Sequence, residues 1–197
     1  MLGPDREVEA DGQVHLVRSS TARLVAVLVA DGGSATTDRL IDALWPEADP
    51  TTGRSRLRVA LHRLRRVFGT DGADLVLRRG DVVAFAPELD VDAVRFEQLA
   101  SGGEGERRTA LALYWAEVCQ VQLAYDDAVA PLRRRLAATW RALATEALAA
   151  SDLPVHLVRR IAEVGAAGAS LDPELADLLA VAEDRVARPT ARGSPAS

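Results

Sequence analysis

Along the first 85 residues, apolar and polar positions alternate, then recur at helical spacing, then alternate again. The segment REVEADGQVHLV, Arg6 to Val17, alternates on either side of Asp11-Gly12, a pair favoured in hairpin turns, and predicts two short strands. In SSTARLVAVLVADGG, Ser19 or Ser20 is a helix N-cap, Leu24, Val27 and Leu28 form an apolar stripe, and Gly32-Gly33 stops the helix. A second, shorter helix follows in TTDRLIDALWP. Thr36 or Thr37 caps it, Leu40, Ile41 and Leu44 face inward, Trp45 anchors it to the core and Pro46 ends it.

The segment GRSRLRVALHRLRRVFG, Gly53 to Gly69, is the third helix. Leu57, Leu61, Leu64 and Phe68 recur at i, i+4, i+7 and i+11, widened by Ala60 and Val67, and mark one buried face. Opposite them, Ser55, Val59, His62 and Arg66 share the same spacing, with Arg58 and Arg63 beside that row and Arg54 and Arg65 on a shoulder. Residues Leu75 to Phe85, LVLRRGDVVAF, predict a second hairpin with Gly80-Asp81 at its tip. Three helices followed by a hairpin is the plan of a winged helix-turn-helix.

Beyond about Val91 the pattern becomes purely helical. A helix opening at Asp90 or Asp92 stops at Ser101-Gly102-Gly103, and alanine- and leucine-rich helices are expected over roughly 106–119, 128–150, 154–165 and 173–187. The expected fold class is therefore an α+β N-terminal winged helix-turn-helix, residues 1–90, followed by an all-α, TPR-like helical domain, residues 91–188. The tail RPTARGSPAS has the composition of disorder, expected over residues 189–197.

Charge changes this picture more than composition does. The 197-residue chain carries a net charge of −5, yet residues 51–70 hold six arginines and no acid, against four arginines and nine acids in residues 1–50. Local distribution decides an electrostatic footprint, so an acidic chain with one strongly basic helix remains a nucleic-acid candidate. All 24 basic residues are arginine, which excludes a P-loop lysine, a Schiff-base lysine or a lysine general base. The single cysteine, Cys119, excludes an intramolecular disulfide and reads as an inert core thiol. His15, His62 and His156 are far apart, with no metal-ligand spacing, and no G-x-S-x-G elbow or glycine-rich phosphate loop is present. No cofactor and no enzymatic activity are expected. Acids and a turn near the start, with no basic-then-apolar run, together with apolar runs too short to cross a bilayer, predict a cytoplasmic protein without membrane contact.

Several motifs together resemble the Streptomyces antibiotic regulatory protein family, actinobacterial activators that join an OmpR-type winged helix to a bacterial transcriptional activation domain. The matching stretches are LGP, DGQVHL, DRLIDALWPEADP (Asp38 to Pro50), LRVALHRLRRVFG, the wing, and VDAVRFEQL leading into ALALYWAEV (Ala110 to Val118). The wing departs from the family in showing Asp81-Val82-Val83 where a Gly-Tyr pair is usual, and Ala116 stands where glycine is common. The resemblance implies a homodimer bound to promoter direct repeats in double-stranded DNA and recruitment of the RNA polymerase holoenzyme.

The third helix meets the chemical demands of such a reader. The major groove admits one α-helix, and arginine reads guanine O6 and N7 with paired hydrogen bonds. Ser55, Arg58, Val59, His62, Arg63 and Arg66 are the base-reading candidates, with Val59 suited to a thymine methyl. Arg54 and Arg65 are expected on phosphates, as are Thr36, Thr37, Thr51 and Thr52 at helix N-termini, where free N–H groups favour anions. Arg78 and Arg79 are expected on the wing, entering the minor groove. Asp126-Asp127 reads as a helix N-terminal acid pair, and Arg133–Arg135 as exposed arginines on a helix packed through Leu132, Leu136, Trp140 and Leu143. The alternative reading is a protein-interaction module whose winged helix no longer binds DNA.

Overall fold

The computed structural model of the chain describes residues 7–10, 13–16, 19–69, 72–114, 126–150, 152–166 and 173–187. Strands β1 (Glu7–Ala10) and β2 (Gln13–Leu16) pair antiparallel, with Ala10 opposite Gln13, as the alternation predicts; the turn residues Asp11 and Gly12 lie outside the described residues. Helix α1 (Ser19–Ala30) follows and ends in Gly32 and Gly33, whose φ angles of 76° and 89° carry the chain through a turn that residues with a Cβ disfavour. The Gly33 N–H then closes that turn on Leu28 O at 2.7 Å.

A three-residue strand, β3 (Ser34–Thr36), precedes α2 (Thr37–Leu44), α3 (Pro50–Val67) and a single helical turn, α4 (Gly72–Leu75). Strands β4 (Val76–Arg79) and β5 (Val82–Phe85) form the second hairpin, with Gly80 at φ 63° in its tip. β5 lies between β3 and β4 in an antiparallel three-stranded sheet. Neither β3 nor α4 was legible beforehand, because three or four residues carry no periodicity of their own.

The helical half comprises α5 (Asp92–Ala100), α6 (Glu104–Leu113), α7 (Ala130–Ala149), α8 (Val155–Ala166) and α9 (Pro173–Ala187). The cap of α5 is Val91, which corrects the choice between Asp90 and Asp92; Asp92 lies inside the first turn and accepts the Ala93 N–H at 2.7 Å. Helix α6 starts two residues before the expected 106 because the Glu106 carboxylate reaches back to the Gly103 N–H at 2.8 Å. It ends at Leu113, well short of 119, since Tyr114 turns extended at ψ 115°. The rest of that expected helix, Cys119 and the tail 189–197 lie outside the described residues. Helix α7 begins at Ala130 instead of 128, because Asp126 builds a turn first, accepting the Ala128 N–H on its side chain and the Val129 and Ala130 N–H groups on its carbonyl.

The buried apolar side chains form one continuous core from Ala22 in α1 to Ala182 in α9. Helix α1 is its centre. Leu24, Ala26, Val27, Leu28 and Val29 are each at most 1 to 2% exposed, because α2 and α3 cover one side of α1 and α7 covers another. In the helical half, Phe96, Tyr114 and Trp140 make an aromatic ladder, with centroids 5.2 and 5.7 Å apart. The described residues are thus mostly helical, with a two-stranded pair and a small three-stranded antiparallel sheet beside three helices, compatible with a winged helix followed by a helical domain.

Candidate nucleic-acid interface

Helix α3 owes its start to Asp49, whose Oδ1 accepts the N–H groups of Thr51 and Thr52 at 3.0 Å each, and to Pro50 in the first turn. The Thr52 side-chain and backbone hydrogen bonds hold the Asp49 carboxyl below the usual carboxylate range. Gly53 lets α2 come close, since a Cβ there would run into the Ile41 side chain. Leu57, Ala60, Leu61, Leu64 and Phe68 are all buried, so the helix faces inward as the spacing predicts.

The outward row of Ser55, Val59, His62 and Arg66 is exposed along its whole length. Val59 is 42% exposed, an apolar side chain left in solvent between arginines. Arg54, Arg58 and Arg65 lie on the wing side of this row, because the Arg65 Nε and Nη2 both donate to Val76 O in β4, at 2.9 and 2.7 Å. Arg56 and Arg63 lie on the other flank, where Arg56 borders the depression formed by Trp45–Asp49 and Thr52.

Many arginines outside this helix form ion pairs. Arg23 pairs with Asp126, Arg39 with Asp31, Arg95 with Asp90, Arg107 with Glu146, Arg108 with Glu104 and Asp152, Arg135 with Glu97, and Arg160 with Glu163. On α3, by contrast, Arg54, Arg56, Arg58, Arg63 and Arg66 have no hydrogen-bond or ion-pair partner among the described residues. Five uncompensated guanidinium groups therefore share one exposed helix surface.

The other expected site residues divide. Arg78 sits on the sheet face that carries Val76 and Val83, the face turned to α3, and its Nε contacts Gly80 O at 3.3 Å. Arg79 is one register position away and so on the opposite face, beside Val82 and Thr36. Thr36 is exposed but its Oγ1 caps α2 through the Arg39 N–H at 3.2 Å. Thr37 does not fit a phosphate contact: its side chain is buried and its N–H is bound to Asp81 O at 2.6 Å. The backbone N–H groups of Thr51 and Thr52 are likewise taken, by a carboxylate that repels an incoming phosphate. Arg65 is also partly withdrawn from the expected phosphate role, since two of its donors hold the wing. Arg56 was not among the expected contacts, although its place on the unpaired flank was available from the helical spacing.

Among the described residues no cluster of three or more His, Cys, Asp or Glu could hold a metal, and no helix is long and apolar enough to cross a membrane.

A small sheet beside three helices, with the most basic of them exposed, is compatible with a winged-helix arrangement. No protein-family model matches the chain. Two curated relatives do: Regulatory protein AfsR of Streptomyces coelicolor, 36% identical over 110 residues, or 54% of this chain, and Regulatory protein AfsR of Streptomyces griseus, 33% identical over 86 residues, or 44% of this chain. The matched regions are only 11% and 9% of those proteins, so the chain spans about a tenth of the length of either. This similarity to two proteins named as regulatory proteins accords with the resemblance to the Streptomyces antibiotic regulatory proteins.

Proposed function

We propose that the protein is a sequence-specific transcription regulator that lays the outer face of α3 in the DNA major groove. The observation that carries this reading is the set of five arginines on one exposed face of α3 without an acidic partner among the described residues. Ser55, Arg58, Val59, His62, Arg63 and Arg66 read base edges, Arg54 and Arg56 hold phosphates on the two flanks, and Arg78 follows the wing towards the adjacent minor groove. Arg65 orients the wing against α3 through Val76 O, and Thr36 shapes the start of α2. The similarity to two regulatory proteins supports a regulatory role, and the family resemblance extends the reading to activation at a promoter, with a homodimer on direct repeats and recruitment of RNA polymerase. In this reading the winged helix is residues 1–90 and the helical activation-type domain residues 91–188.

Fluorescence anisotropy against the DNA upstream of its own gene cluster and against random DNA, over a salt series, tests the reading. Tight binding to one fragment with a steep salt slope is the expected result. A folded protein that binds neither fragment overturns it and leaves the protein-interaction alternative.

A further inference from the structure

Two arginines, one from each half of the molecule, do the same unusual thing. Arg23 in α1 donates from Nη1 to Leu44 O, the last carbonyl of α2, at 3.3 Å, while its Nε lies 2.6 Å from Asp126 Oδ2 in the turn before α7. Arg135 in α7 donates from Nη1 to Ala30 O, the last carbonyl of α1, at 3.1 Å, while its Nε meets Glu97 Oε1 in α5 at 2.6 Å. Each guanidinium thus donates to the last carbonyl of a helix in the N-terminal half and forms an ion pair with a carboxylate in the helical half, hydrogen-bonded in the case of Arg135.

The chemistry suits the places. The last carbonyls of a helix lack intrahelical partners and carry the negative end of its dipole, so a cation seated there is favoured. A guanidinium has five donors in a rigid fork and can serve a carbonyl and a carboxylate together. The two contacts flank the apolar seam where α7 covers α1. The Arg23–Asp126 pair is partly sheltered, its side chains 29% and 15% exposed, whereas Arg135 and Glu97 are 42% and 32% exposed.

We propose that Arg23 and Arg135 are positioning residues, a two-point latch that makes the helical half and α1–α3 open and close as one unit. DNA seated on α3 is then felt in α7, a consequence that rests on the DNA-binding reading, whereas the latch itself does not. Hydrogen exchange read by mass spectrometry on the full chain tests it, comparing wild type, the Arg23→Gln/Arg135→Gln pair, the milder Glu97→Gln and the conservative Arg23→Lys/Arg135→Lys pair.

In wild type the slowest amides of α1 and α7 should share one opening constant. In the glutamine pair they should separate by about tenfold or more, within the range typical of coupling between sites, with a smaller separation in Glu97→Gln and in the lysine pair, which keeps the charge but lacks the fork that reaches both partners. An ordinary loss of stability would speed both helices equally, and that result overturns the latch. So does continued joint opening in the glutamine pair. In a second arm, random-sequence duplex at low salt should protect α3 in every variant but α7 only where the latch is intact. Protection of α7 that survives the glutamine pair also overturns the proposal. Failure to protect α3 in wild type overturns the DNA reading instead, leaving the latch to stand or fall on the first arm.

Discussion

Arg66 and Arg54 lie on one helix but differ in what each faces, and their substitutions should differ in kind. Arg66→Ala removes a donor from the outermost row and should cost about 1–3 kcal/mol on the cognate site, relaxing preference at one base pair. Equal losses on cognate and random duplex in the anisotropy assay would argue against base reading there. Arg54→Ala, on the wing-side flank, should weaken all duplexes alike and lower the salt slope by about one. Asp49 sets a pH dependence of its own. Its carboxyl is held below the usual value by Thr52, so the capping contribution is full above the unfolded value near about pH 4 and is lost as pH falls through the lower native value. Protection of the Thr51 and Thr52 amides, taken relative to the intrinsic exchange rate at each pH, should therefore fall on acidification below that range, and Asp49→Ala should lower it at neutral pH as well. The phosphate role expected for Thr37, Thr51 and Thr52 illustrates what residue type cannot reveal. A threonine at a helix start is the same letter whether its N–H is free or already bound, and here Asp81 and Asp49 have claimed those groups.

At the scale of elements, α3 was legible almost entirely, because eighteen residues allow a 3.6-residue period to repeat several times. Leu57, Leu61, Leu64 and Phe68 fall on the buried face and the arginines on the open one. Leu61→Ala should accordingly destabilise the protein by roughly 2–5 kcal/mol in a denaturant melt. Gly53 gives a less intuitive expectation. Glycine within a helix is normally improved by alanine, but here the added methyl meets Ile41, and overpacking of this kind costs about 1–3 kcal/mol. A melt showing Gly53→Ala more stable than wild type would mean that α2 can move aside. What the sequence hid at this scale was short or set by tertiary contact. β3 exists because Ser34–Thr36 find β5, and α6 starts early because Glu106 turns back on Gly103. Arg65 was read as an outward shoulder residue; its position on the helix was right, and only the neighbouring Val76 carbonyl decides what it does.

The whole molecule is organised around α1, a helix apolar on nearly every side and enclosed by elements from both ends of the chain. No pattern in residues 19–30 names α7 as the cover, more than a hundred positions later, so the change of texture near residue 90 could be read from the sequence but the packing across it could not. The connection between the halves, Pro87 to Val91, runs along the surface with Pro87 and Glu88 exposed. A chain nicked there by a protease would be broken at its thinnest covalent point, yet each fragment would still hold what the other lacks: one the buried helix, the other the helix that shelters it. The two pieces should leave a sizing column together and part only in denaturant. By the same logic, the two halves expressed as separate polypeptides should find one another and fold by complementation, the noncovalent seam doing the joining that the peptide bond ordinarily provides.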